Sequence, residues 1–223
     1  MYPEKQLRER HTETQQRERT KATECVFGLV GNGFAIVAVD ASTGHKFSGP
    51  ATTMDKITVF DSHKLIGAIG HCGDTLSQSF TKHIKKQAQG TSLTTADTAS
   101  FIRQELAANT HRFKRVNMLL AGYDEGTGPS LYHIDCNASL NKVEKGAFGG
   151  DGSSYSLSAM DSSFHVGMSL NKAIDLVDAC IEEIRSSLDV GTPTHIIKIV
   201  DEQGARHYAW RKPHYAWRKP RPA

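Results

Sequence analysis

The chain has 223 residues and a formal net charge of +3, with 38% hydrophobic residues. That length suits one hydrophobic core with arms, and the mild, interspersed charge lacks the footprint of a nucleic-acid or membrane-surface binder. Cys25, Cys72, Cys136 and Cys180 form no CxxC pair. They read as small core residues in a reducing compartment, outside any zinc site or disulfide framework.

Residues 1–22 are rich in Arg, Glu, Gln and Lys, a composition that cannot bury enough surface to offset the entropy of ordering. They read as a charged N-terminal arm. No signal-type apolar run is present in it, and no stretch approaches the roughly twenty residues of a membrane helix. The apolar runs 25–30 and 34–39 then flank Gly31, Asn32 and Gly33, whose tolerance of positive φ predicts a tight hairpin. Asp40 closes its second arm, and Lys56 follows sixteen positions later. Residues 57–60 and 65–70 read as further strands.

A helix is predicted from Gly73 and Asp74, with Leu76, Phe80, Ile84 and Ala88 along one face. Lys82, Lys85 and Lys86 lie off that row and read as a solvated face. Gly90 stops this helix, and Thr94 or Thr95 is placed to cap the next, whose stripe is Ala99, Ile102 and Leu106. Strands 116–123 and 130–135 enclose a turn at 124–129. Gly149, Gly150, Asp151, Gly152 and Ser153 precede a helix predicted over 155–161. No GxGxxG or P-loop pattern is present there, which argues against nucleotide binding.

Ser169 is placed to cap a long helix carrying Ala173, Val177, Cys180, Ile181, Ile184 and Leu188 on its buried side. A strand over 194–200, a turn at 201–204 and a strand from Arg206 complete the pattern. HYAWRKP occurs twice, at 207–213 and 214–220. Residues 207–223 read as a tail in which Pro213, Pro220 and Pro222 interrupt ladder bonding. A disordered tail, a docking arm using Tyr215, Trp217 and Arg218, and a single-stranded nucleic-acid contact all stay open. His45, His63, His71 and His83 lack metal-ligand spacing, GxSxG is absent, and no cofactor or metal is expected.

Helix pairs covering both outer faces of two stacked sheets predict an α+β, four-layer αββα sandwich. The Asp40 to Lys56 spacing and LLAGYDEGTGPSLYHID at 119–135 resemble proteasome subunits of the beta type. The resemblance covers about residues 23–206 and implies the N-terminal nucleophile hydrolase fold. Within it, TECVFGLVG and NMLLAGYDEGTGPSLYHID are most similar to the type-4 subunit.

Active members carry a processed N-terminal threonine sixteen residues before the aspartate, and counting back from Asp40 reaches Glu24. A threonine hydroxyl attacks while its own free amine takes the proton; a carboxylate is a poor nucleophile toward an amide. Thr23 does not restore the site, since active precursors have glycine where Ala22 stands, and sliding the register puts Val39 in place of the aspartate. The matching glycine-serine-glycine-serine run has Asp151 for its first serine and keeps Ser153. Leu188 falls where active relatives hold a supporting aspartate, with Asp189 one residue away.

The resemblance therefore implies a non-catalytic subunit with no catalytic residue, in which Asp40 and Lys56 persist as a structural pair. It also implies beta-type partners in the same and the opposite ring and alpha-type subunits in the outer ring. Neighbouring subunits would carry out ATP/ubiquitin-dependent protein degradation, in cytoplasm and nucleus, with no nucleic-acid or membrane partner. One alternative is an active N-terminal nucleophile hydrolase exposing Thr23 or Cys25 after cleavage. Another is an alpha-type subunit, whose tyrosine-aspartate-arginine entry is absent.

Overall fold

Two apolar runs of seven residues fold back on each other as β1 (Cys25–Gly31) and β2 (Phe34–Asp40). The computed structural model describes residues 24–41, 53–70, 74–88, 93–109, 116–188 and 195–211. The arm at 1–22, Thr23, Cys72, His45, His71, Gly90, Asp189 and the second HYAWRKP copy lie outside the described residues. Of the three expected turn residues only Gly33 takes positive φ, at 81°. Pairing runs on to Gly31 opposite Phe34, so the loop shrinks to Asn32 and Gly33, and the Asn32 amide donates to the Met168 carbonyl at 3.0 Å.

The remaining strands are β3 (Ile57–Asp61), β4 (Lys64–Gly70), β5 (Val116–Asp124), β6 (Gly128–Ile134), β7 (Leu140–Val143), β8 (Lys145–Gly149), β9 (His195–Asp201) and β10 (Gly204–Arg211). They form two five-stranded antiparallel sheets, ordered β10-β9-β2-β1-β8 and β3-β4-β5-β6-β7. Among the described residues four helices cover them: α1 (Asp74–Gln87), α2 (Thr95–Ala108), α3 (Asp151–Ser163) and α4 (Leu170–Leu188). The expected sandwich is present, with three apolar interlayers.

Period-two alternation sorts the strands between those interlayers. Cys25, Phe27, Leu29, Phe34, Ile36 and Ala38 meet Met160, Ala173, Val177 and Cys180 of α3 and α4. Val26, Ala35, Val37 and Val39 on the opposite face meet Leu65, Leu119 and Leu131 of the second sheet. Phe80 and Ile84 of α1, with the α2 stripe Ala99, Ile102 and Leu106, cover that sheet's outer face. Thr94 caps α2, its hydroxyl accepting the Asp97 amide at 3.1 Å, and the Thr95 amide donates to the Asp124 carboxylate at 3.0 Å. Lys82, Lys85 and Lys86 are exposed, as expected, with Lys85 donating to the Val59 carbonyl at 2.8 Å.

Two strands escaped the sequence reading, and one helix begins earlier than expected. β7 and β8 are sheet-edge strands with little periodicity: LNKV is only half-buried at its apolar ends, and KGAFG holds two glycines. α3 starts at Asp151, four residues before the predicted helix, because Gly152 is buried in its first turn instead of belonging to a loop.

The sheets are joined beyond their apolar interlayer. The β3–β4 turn meets the β9–β10 turn, where the Ala205 amide donates to Ser62 at 2.6 Å and His63 Nε2 donates to Glu202 at 3.2 Å. Elsewhere His133 of β6 stacks on Phe148 of β8, with centroids 3.4 Å apart and rings 7° from parallel. Burial holds the His133 imidazole below its ordinary value, with Asp135 opposing. The unfolded chain therefore takes up that proton before the native state does, so stability falls as pH drops below about 6.5 towards the depressed native value. Thermal melts should show a smaller acid-side loss for His133→Phe than for the parent chain. A methyl at Gly67 would stand 2.7 Å from Val37 Cγ1 and 3.0 Å from Val26 Cγ2, between the sheets. Gly67→Val should thus cost about 1–3 kcal/mol by overpacking, read as a lower melting midpoint.

Candidate functional site

Glu24 stands immediately before β1, at the end where β1 pairs with both β2 and β8. Its carbonyl accepts the Gly150 amide at 2.7 Å, which fixes it against the loop leading into α3. Gly149 makes that approach possible: its φ is +127°, and a Cβ there would lie 2.5 Å from the Glu24 carbonyl oxygen. The retained Ser153 closes the turn, its hydroxyl donating to the Gly150 carbonyl at 2.7 Å. Asp151 is exposed in the first turn of α3, where a negative charge suits the helix dipole.

The side chain of Glu24 points its charge at a lysine. Lys56 is buried, and its Nζ lies 3.6 Å from Glu24 Oε1, whose side chain is 23% exposed. Lys56 precedes β3, and its carbonyl accepts the Ala68 amide of β4 at 3.1 Å. Asp40, 1% exposed, ends β2 directly opposite the equally buried His195 of β9. The Cys25 thiol is pushed up from its ordinary range by burial first and by Asp40 next, against a Ser156 hydrogen bond and the Lys56 charge. The fold thus gathers Glu24, Cys25, Asp40, Lys56 and Ser153 around one end of the β1–β2 hairpin.

Cys25 is fully buried and faces the α3–α4 layer, and burial raises its thiol above the ordinary range. Cys180 is buried too, its thiol pushed up to about 12 by burial, while Cys136 is half-buried. Leu188 is the last residue of α4 and packs against the adjoining core. His63 lies in the β3–β4 turn and His83 on α1, where it pairs with Glu105 at 3.0 Å, so neither joins the site. Among the described residues no group of three or more His, Cys, Asp or Glu side chains is arranged to hold a metal ion.

Three participants were not anticipated: Gly149 as the cradle of Glu24, His195 opposite Asp40, and Lys198. Lys198 of β9 donates to Asp55 Oδ2 at 2.6 Å and to the Ile57 carbonyl at 2.5 Å, across the two sheets. A lysine amid the apolar run HIIKIVD was the available signal for the last.

The family model described as "Proteasome subunit" matches residues 20–200, most of the chain. "Proteasome subunit beta type-2-A" of Arabidopsis thaliana is 52% identical over 196 residues, which cover 85% of this chain and 95% of that relative. The chain belongs to the proteasome beta-subunit family. A beta type-2 subunit of Oryza sativa subsp. japonica is 48% identical over 195 residues, 84% of this chain and 91% of its own length. The beta type-4 subunit of Saccharomyces cerevisiae is 32% identical over 192 residues, 82% and 96% of the two chains. The expected likeness to type-4 in particular is therefore not supported, because the plant subunits named type-2 are 48% to 52% identical against 32% for that type-4 subunit.

In this beta subunit the buried charges should act on stability. Asp40 and Lys56 are both buried charges, and taking away a charge that compensates another in the interior costs about 3–5 kcal/mol. Asp40→Asn and Lys56→Ala should each lower the melting midpoint and the fraction of chain recovered in the assembled complex. Glu24→Gln, altering a partly exposed carboxylate, should do so less.

Proposed function

We propose that this chain is a catalytically silent member of the beta ring, of the type-2 kind. It closes the ring, helps line the chamber and shapes neighbouring sites while other subunits cleave peptide. The observation that carries the reading is the Glu24 carboxylate standing 3.6 Å from Lys56, at the position that the sixteen-residue count back from Asp40 assigns to the threonine of active members. A carboxylate there neutralises the lysine without offering an oxygen able to displace an amine from an amide.

The proposal extends to the setting implied by the family: beta-type neighbours in the same and the opposite ring, alpha-type subunits outside, and substrates delivered by the ATP/ubiquitin-dependent route. Cytoplasm and nucleus are the compartments proposed. The competing reading, a nucleophile exposed by cleavage, finds little support at Cys25, whose thiol is buried in the strand and pushed up from its ordinary range by that burial.

The test is a mechanism-based inhibitor that couples covalently to N-terminal threonines, applied to the purified core complex and followed by intact-mass measurement of each subunit. This chain should carry no adduct and no new N-terminus at Thr23, Glu24 or Cys25. An adduct on it overturns the proposal.

A further inference from the structure

Lys198 interrupts the apolar residues at the centre of β9, on the face that Ile196 and Val200 present to the inter-sheet layer. It is 7% exposed, and an ammonium in such surroundings needs both charge and hydrogen-bond compensation. Asp55 Oδ2 and the Ile57 carbonyl supply it. Those two acceptors belong to the residues on either side of Lys56.

The same short segment is tied in two further ways. Asp55 Oδ1 accepts the Ile57 amide at 2.9 Å, closing a local turn around Lys56, and the Lys56 carbonyl is held by the Ala68 amide at 3.1 Å. With the Asp55 side chain held before Lys56 and the backbone held at Lys56 and Ile57, the lysine side chain has a fixed point of departure towards Glu24. A lysine serving stability alone could take acceptors anywhere along the facing sheet. Lys198 takes both of these from the residues bracketing one other lysine.

We propose that Lys198 is a positioning residue for Lys56: by bridging Asp55 and Ile57 it sets where the Lys56 ammonium stands and keeps it against Glu24. This rests on the reading of the Glu24 end of the hairpin as the closed counterpart of a hydrolase site. The Asp55 side chain is 42% exposed, so water can take over its charge if Lys198 is replaced.

The experiment uses assembled core complex purified through a tagged copy of this chain, as the parent and as Lys198→Met and Lys198→Arg. Each is treated with a trace of an N-hydroxysuccinimide ester, and acylation of individual lysines is quantified by peptide mass spectrometry. Each site is read against the same site in the parent. Labelling of Lys56 should rise about tenfold in Lys198→Met, as local opening of its segment exposes the amine. It should return towards the parental level in Lys198→Arg, whose guanidinium can bridge the same acceptors.

Unchanged labelling of Lys56 in Lys198→Met overturns the proposal, as does an equal rise at Lys64, a buried lysine outside the clamp that would report general loosening. If Lys198→Met does not assemble, Asp55→Asn supplies the same readout, with a smaller rise at Lys56 expected and no change overturning the proposal. An inhibitor adduct on this chain would refute catalytic silence without altering the labelling result, so the two failures are distinguishable.

Discussion

Every side chain of β2 is buried, and that demand sets the number of layers. A strand in the middle of a sheet must pair along both edges, and β1 and β9 supply those ladders. Both of its faces must also be covered with apolar surface: α3 and α4 meet one, and the second sheet meets the other. The second sheet then has an outer face of its own, which α1 and α2 close. Asp40 sits at the end of this most enclosed strand, so its charge is an energetic problem for the fold whether or not any chemistry takes place beside it.

Elements with a strong period were legible from the residues. The runs around Asn32 and Gly33, the α2 stripe of Ala99, Ile102 and Leu106, and the apolar run that precedes the turn at 124–129 all follow from local geometry. β7 and β8 were not legible, because an edge strand buries little and so need not alternate. Gly152 misled for a related reason. In the sequence it stands among the glycines ahead of the predicted helix, whereas it lies buried inside that helix.

The candidate site divides along the same line. The count from Asp40 back to Glu24 stays within one hairpin, so the family spacing could be carried over by arithmetic. His195 and Lys198 reach the neighbourhood of Asp40 and Lys56 only because β9 is laid beside β2, after more than half of the chain has intervened. No local pattern announces that pairing. A single lysine in an apolar strand says that a partner must exist, but not which residue it is.

The hold on Glu24 bears on how such a subunit would change over evolutionary time. Its carbonyl is tied to Gly150 and its carboxylate faces Lys56, so main chain and side chain are anchored separately. A threonine in place of Glu24 would bring a hydroxyl to this position, yet that hydroxyl would still need a free amine of its own, released only by scission of the bond between residues 23 and 24. Neither event brings any advantage without the other. On the proposed reading of a silent subunit, loss of peptidase chemistry would then behave as a ratchet, leaving later substitutions free to accumulate in favour of assembly alone.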